Sequence, residues 1–176
     1  MPQKKFIISF VGSPCAGKST AAKLLAEKVP DIYFVSYDKQ KWLLSGFDRH
    51  KHYGLVKEIT FGLFEMVCQK GVPVQLEYFR TEAEYQKCVE VSKKYGYSML
   101  CVELTAPRET LLERFRERVA DSKVTGNKIS FTTEDLFIEN LDAGYYCPAN
   151  TVSFDTSKIS NEEIVAKTLA LLLVAH

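Results

Sequence analysis

The chain has 176 residues, 46% apolar and 26% charged, with a formal net charge of +1. That apolar content excludes a disordered segment, and near-neutrality argues against a wide, non-specific nucleic-acid footprint while leaving room for a local basic cleft. The length favours one domain, able to bury about two-thirds of its unfolded surface.

Lys4 and Lys5 precede FIISFVG, but this apolar run is short and passes into GKST rather than a small-residue cleavage site, unlike a secretory leader. No stretch approaches the roughly 18 apolar residues of a membrane span. The five cysteines, Cys15, Cys68, Cys88, Cys101 and Cys147, are scattered and form no CxxC pair. They read as reduced thiols in a soluble, cytoplasmic protein without a membrane partner, with Cys68, Cys88 and Cys101 as small buried hydrophobes.

In chain order, residues 5–11 read as a buried strand ending in glycine. Residues 18–28 place Ala21, Leu24, Leu25 and Val29 on one helical face, closed by Pro30. Residues 32–37, IYFVSY, are aromatic and β-branched, a second strand ending at Asp38. A helix is expected to follow from KQKWLL, and another over 55–69 with Leu55, Ile59, Leu63 and Val67 inward and Gly71 as its stop. Residues 72–79 read as a third strand, 82–95 as a helix, 98–105 as a fourth strand and 108–119 as a highly charged helix. The polar stretch 120–133, with Gly126, reads as a mobile loop. TVSFDTS supplies a fifth strand, and NEEIVAKTLALLLVA a final helix with Ser160 as its cap. Strands alternating with helices imply a parallel sheet covered on both faces.

GSPCAGKST, residues 12–20, carries the clearest chemistry. Gly12, Gly17, Lys18 and Ser19 match G-x-x-x-x-G-K-[ST] between a strand and a helix, the required context. Small residues such as Ser13, Pro14, Cys15 and Ala16 let successive backbone N–H groups wrap a phosphate, and the helix start adds its positive dipole end. Lys18 suits the β- and γ-phosphates, and Ser19, followed by Thr20, offers a hydroxyl to Mg²⁺. The expected ligand is a nucleoside triphosphate with Mg²⁺.

Further candidates lie at the carboxyl edge of the expected sheet, where ligands bind in open α/β folds. Asp38 suits a general base toward an acceptor hydroxyl, or a helix cap. Glu77 suits a water-mediated Mg²⁺ ligand, or a solvent-facing strand end. Arg80 suits an acceptor's phosphate or carboxylate, or the surface. Arg114 and Arg118, four apart, share a helix face that either meets the phosphates or pairs with Glu113 and Glu117. The 119–133 stretch then reads as a lid that excludes water. Residues 39–57 form an acceptor-side segment, with Lys41 a substrate-binding candidate. There Asp48, His50 and His52 read as part of a polar loop rather than a metal site, and Trp42 and Leu43 as core or pocket wall.

Together, GSPCAGKST, SYDKQKW, LTAPRETLLERFRER and FDTS resemble the small P-loop kinases, nearest the zeta-toxin-like and polynucleotide-kinase-like branch. The resemblance implies a three-layer P-loop NTPase fold with sheet order 2-3-1-4-5 and phosphoryl transfer from ATP. It also implies Asp38 as acceptor-side base, Arg114 on a phosphate, and Asp155, Thr156 and Ser157 near the adenine. The family's usual Asp after strand three is Glu77 here. Polynucleotide kinases often carry an arginine shortly after the base; Lys39 and Lys41 stand there, so a nucleic-acid end is not favoured over a hydroxylated or phosphorylated small molecule. Mononucleotide kinases of the adenylate-kinase type are a second possibility, and a nucleotide-binding regulatory module a third.

Overall fold

The structure, a computed structural model, describes residues 5–174; Lys4 and the expected last helical residue, Ala175, lie outside the described residues. Five strands, β1 (Phe6–Val11), β2 (Tyr33–Ser36), β3 (Val74–Glu77), β4 (Ser98–Thr105) and β5 (Val152–Asp155), form one sheet in the order β2-β3-β1-β4-β5. All pairings are parallel, and β1 is central, joined to β4 from Phe6↔Ser98 to Val11↔Glu103 and to β3 at Ile7↔Val74. This is the three-layer order that the resemblance implies.

The two-residue period of β1 divides the core. Ile8 and Phe10 face Leu25 of α1 (Lys18–Lys28), Phe115 of α5 (Arg108–Thr125), Phe137 of α6 (Glu134–Ala143) and Ile164 of α7 (Asn161–Val174). Ile7 faces Phe64 and Cys68 of α3 (Arg49–Gln69) and Cys88 and Val91 of α4 (Glu82–Tyr95). A seventh helix, α2 (Tyr37–Leu43), follows β2 directly. Cys68, Cys88 and Cys101 are buried as expected, and burial pushes the Cys68 and Cys101 thiols up to about 12. Among the described residues no helix is long and apolar enough to cross a membrane.

Several boundaries differ from the sequence reading, each for a local reason. β2 stops at Ser36, whose hydroxyl accepts from Lys39 N–H and starts α2 at once. α3 begins at Arg49 instead of residue 55, because the Asp48 carboxylate caps it at 3.0 Å from Lys51 N. The expected polar loop is therefore two helical turns. The inward face of α3 is Val56, Thr60, Phe64 and Val67, leaving Leu55 and Ile59 about half exposed. Apolar residues occupy two adjacent faces of this helix, and periodicity alone does not choose between them; Thr60 is accommodated inside because its hydroxyl donates to Val56 O at 2.6 Å.

α5 runs past 119 to Thr125, where Gly126 at φ 72° ends it in the left-handed region. The expected loop is thus half helix. α6, absent from the sequence reading, is capped by Thr133 and held by Phe137, which stacks on Phe115 at 4.3 Å between centroids. Ser160 caps α7 as expected, accepting from Glu163 N at 3.2 Å.

Candidate active site

The loop between β1 and α1 is shaped by backbone demands. A Cβ on Gly12 (φ 134°) would lie 2.2 Å from Leu104 O of β4, so only glycine lets the loop leave the sheet there. Gly17 opens α1 at φ 92° and makes no side-chain cap, and Cys15 also has positive φ, 63°. The helix start thus presents N–H groups to the loop's concavity without a side chain covering them. Lys18 Nζ reaches back to Gly12 O and Ser13 O at 2.8 and 2.7 Å. Burial lowers its pKa, only partly offset by the attraction of Glu77 and Asp38. An ammonium in that position favours an anion beside it.

One cavity of about 470 Å³ opens above the loop. Gly12, Ser13, Pro14, Cys15, Gly17, Lys18, Ser19 and Thr20 line it, with Ala16 buried beneath. So do Asp38, Glu77, Arg80, Arg114 and Arg118. The carboxyl ends of β1 and β3 and the start of α2 therefore bring candidates scattered over more than a hundred residues to one place.

Asp38 lies in the first turn of α2, beyond the strand end where the sequence placed it. The cap is Ser36, so Asp38 keeps its carboxylate free of the helix backbone and pairs with Lys41 Nζ at 2.6 Å. Lys41 is buried, donates also to Ser130 Oγ at 2.9 Å, and does not line the cavity. Glu77 ends β3 and accepts from Ser36 Oγ at 2.6 Å. Burial pushes its carboxyl above the usual range; Asp38 acts the same way, against Ser36, Lys18 and Arg80. Ser19 and Glu77 are oxygen donors of the kind Mg²⁺ takes, alongside its waters and phosphates. Among the described residues no group of three His, Cys, Asp or Glu side chains is arranged for a metal; His52 Nδ1 instead accepts from Asp48 N at 2.9 Å.

The raised Glu77 pKa gives a signed prediction. Between its ordinary value, 4.5, and its higher folded value, the folded chain holds a proton the unfolded chain has released. That stability is fully present below about 4.5 and is lost as pH rises through the folded value. Glu77→Gln, which still accepts from Ser36, is expected to raise Tm of the ligand-free protein at pH 7 by ~2–4 °C, about 1 kcal/mol for a domain of this size. Calorimetric scans at pH 4.5 and 7 check it: the gain should shrink at the lower pH, and an equal gain at both would oppose it.

Arg114 donates to Thr156 Oγ1 and O at 2.8 and 2.9 Å and reaches Cys15 O at 3.4 Å. Arg118 faces the Cys15 thiol, while Arg116 turns outward to Glu134 at 2.6 Å. Asp155 ends β5 and Thr156 and Ser157 follow it, all three outside the cavity lining. There Asp155 accepts from Ser157 Oγ at 2.6 Å, a bond that, with help from Lys158, holds its carboxyl down to about 2. Trp42 and Leu43 are neither core nor pocket wall. α2 turns Tyr37 and Lys41 inward, leaving Leu43 exposed and Trp42 between the ammonium groups of Lys41 and Lys128, at 4.6 and 5.3 Å.

The sequence reading missed much of the wall: Tyr37, Tyr78, Phe79, Asn140, Tyr145 and Tyr146. Tyr78 and Phe79 had the pattern of a continuing strand. The Tyr145–Tyr146 pair after Gly144 was its own weak signal, in a segment without periodicity.

A family model described as an AAA domain matches residues 7–135. No curated protein sequence matches the chain. Among solved structures, the APS kinase CysC of Mycobacterium tuberculosis, in complex with AMPPNP and APS, is 18% identical, covering 97% of this chain and 99% of its own, at a TM-score of 0.69. A gluconokinase from Sinorhizobium meliloti is 20% identical, covering 96% and 92%, at 0.63. The Deinococcus radiodurans tunicamycin resistance protein is 16% identical, covering 96% of each chain, at 0.61. At these identities the likeness is one of fold.

Proposed function

Because this chain belongs to the AAA_33 family of AAA domains, we propose that it is an ATP-dependent kinase that moves the γ-phosphate to a hydroxylated or phosphorylated small molecule. The observation that carries the reading is the shared cavity. A phosphate loop, two carboxylates and three arginines converge on one space, and among the described residues Lys18 there donates to two backbone carbonyls and enters no ion pair. The APS kinase and gluconokinase folds lend support.

In this reading the backbone N–H groups of the loop, from residues other than Pro14, and Lys18 bind the β- and γ-phosphates. Mg²⁺, held by Ser19 and through water by Glu77, would supply positive charge to the phosphates. Asp38 orients the acceptor and takes its proton. Arg118, with Arg114 against the loop's Cys15 carbonyl, offsets charge on the transferred group. Residues 127–133, joined to α2 through Ser130 and Lys41, act as a lid that keeps water from the γ-phosphate.

The test is incubation with γ-labelled ATP, Mg²⁺ and a deproteinised small-molecule extract. Label in an organic product supports the kinase. Label confined to inorganic phosphate opposes it and favours a nucleotide-binding regulatory module.

A further inference from the structure

Building on the kinase reading, we infer that the acceptor is a free mononucleotide, phosphorylated on a ribose hydroxyl. Three features of the cavity wall converge on that class. The first is aromatic. Tyr37, Tyr78, Phe79, Phe131, Tyr145 and Tyr146 line the space shared with Asp38 and Arg80. Tyr37, Tyr78 and Phe79 are over nine-tenths buried and so held in place, whereas Tyr145 is 40% exposed and offers open ring surface. Tyr146 sits edge-on to Phe79 at 6.4 Å and against Tyr85 at 5.8 Å. Such a wall suits a flat unsaturated ring, since stacking a base on an aromatic side chain contributes about 1–3 kcal/mol.

The second is cationic. Arg80 lines the cavity, and among the described residues its guanidinium enters no ion pair. Its backbone is fixed instead. Glu84 Oε2 accepts from Arg80 N at 2.6 Å, and Glu84 Oε1 pairs with Lys57 Nζ at 2.8 Å. Lys57, buried, also donates to Tyr78 O and lies over the rings of Tyr78, Tyr37 and Tyr53 at 4.3, 5.5 and 5.6 Å. An internal ion pair is an inefficient stabiliser compared with apolar packing. This one clamps the turn 78–80, so Lys57 and Glu84 are positioning residues for Phe79 and Arg80. The planar fork of Arg80 suits a phosphate.

The third is Asp38. A phosphate acceptor is already ionised at neutral pH, has no proton to give up, and would be repelled by a carboxylate. A hydroxyl needs the base. In the transfer, the hydroxyl oxygen bonds to the γ-phosphorus as the β–γ bridging bond breaks. The bridging electron pair leaves on ADP, and the hydroxyl proton passes to Asp38 and then to water. Hydroxyl, anion and flat ring coexist in a mononucleotide. A sugar acid lacks the ring, and an oligonucleotide would need a basic track that a chain of charge +1 does not advertise. The cavity, about 470 Å³, lies in the size range of small-molecule sites.

The experiment gives the full chain γ-labelled ATP and Mg²⁺ with four acceptor sets: the common nucleoside monophosphates, their nucleosides, 5′-hydroxyl oligonucleotides, and gluconate. The expected product is a labelled nucleoside bisphosphate, separated from the diphosphate by chromatography. Tyr146→Leu should raise KM for the nucleotide about tenfold and leave KM for ATP unchanged. Arg80→Gln, at an exposed position, should erase the preference for nucleotide over nucleoside. Label on gluconate, on oligonucleotides, or in a nucleoside diphosphate would overturn this inference and leave the kinase reading standing. Label only in inorganic phosphate, with every set, would overturn both.

Discussion

Lys18→Ala is expected to reduce ATP affinity and phosphoryl transfer together, transfer by about 100- to 1000-fold, the scale of losing one preorganised donor. The ammonium now rests on two carbonyls of the loop itself, Gly12 O and Ser13 O, and burial already disfavours it in the free protein. Phosphate would relieve that cost, so ground-state binding and transfer both depend on it. Without nucleotide the variant should keep its Tm within a few degrees, because it loses a partly desolvated charge along with two hydrogen bonds. Calorimetric titration with ATP and Mg²⁺, beside a label-transfer assay, checks both halves. Unchanged ATP affinity would contradict the expectation.

Asp38→Asn is expected to behave differently. Asparagine preserves size and can still accept from Lys41, but it cannot take a proton. ATP affinity should stay within about twofold while transfer falls roughly a hundredfold or more, as loss of a general base does. Asp38 contacts Lys41 at 2.6 Å, so the substitution also weakens an ion pair. Lys41→Met separates the two effects: it removes the pair and leaves the carboxylate. Equal losses of affinity and transfer in Asp38→Asn, or a matching transfer loss in Lys41→Met, would sink the base assignment.

The elements legible in the sequence were those with their own punctuation. α4 is framed by Thr81, which caps it, and Gly96, which ends it at positive φ, so its bounds were readable to the residue. The phosphate loop was legible because each glycine answers a backbone constraint. α3 shows the opposite case: its start depends on whether Asp48 caps, and its buried face on Lys57 turning inward to Glu84, a partner 27 positions away. α6 was hidden because its anchor is a tertiary stack, Phe137 on Phe115, and its remaining surface is largely acidic. The site divides the same way. Residues defined by motif spacing were found, whereas Tyr145 and Tyr146 join the wall only because the chain crosses the sheet edge between α6 and β5.

The ammonium of Lys41 touches two oxygens belonging to different parts of the chain, Asp38 Oδ1 and Ser130 Oγ. With three N–H donors the ammonium serves both at once, and so ties the start of α2 to the stretch around Ser130. A reacting hydroxyl that engages Asp38 changes its hold on Lys41, and with it the grip on the strand of chain around Ser130. By thermodynamic reciprocity, whatever displaces that stretch also alters how the carboxylate is held. Opening of that stretch and engagement of the carboxylate thus share one balance point, a single side chain that registers both events.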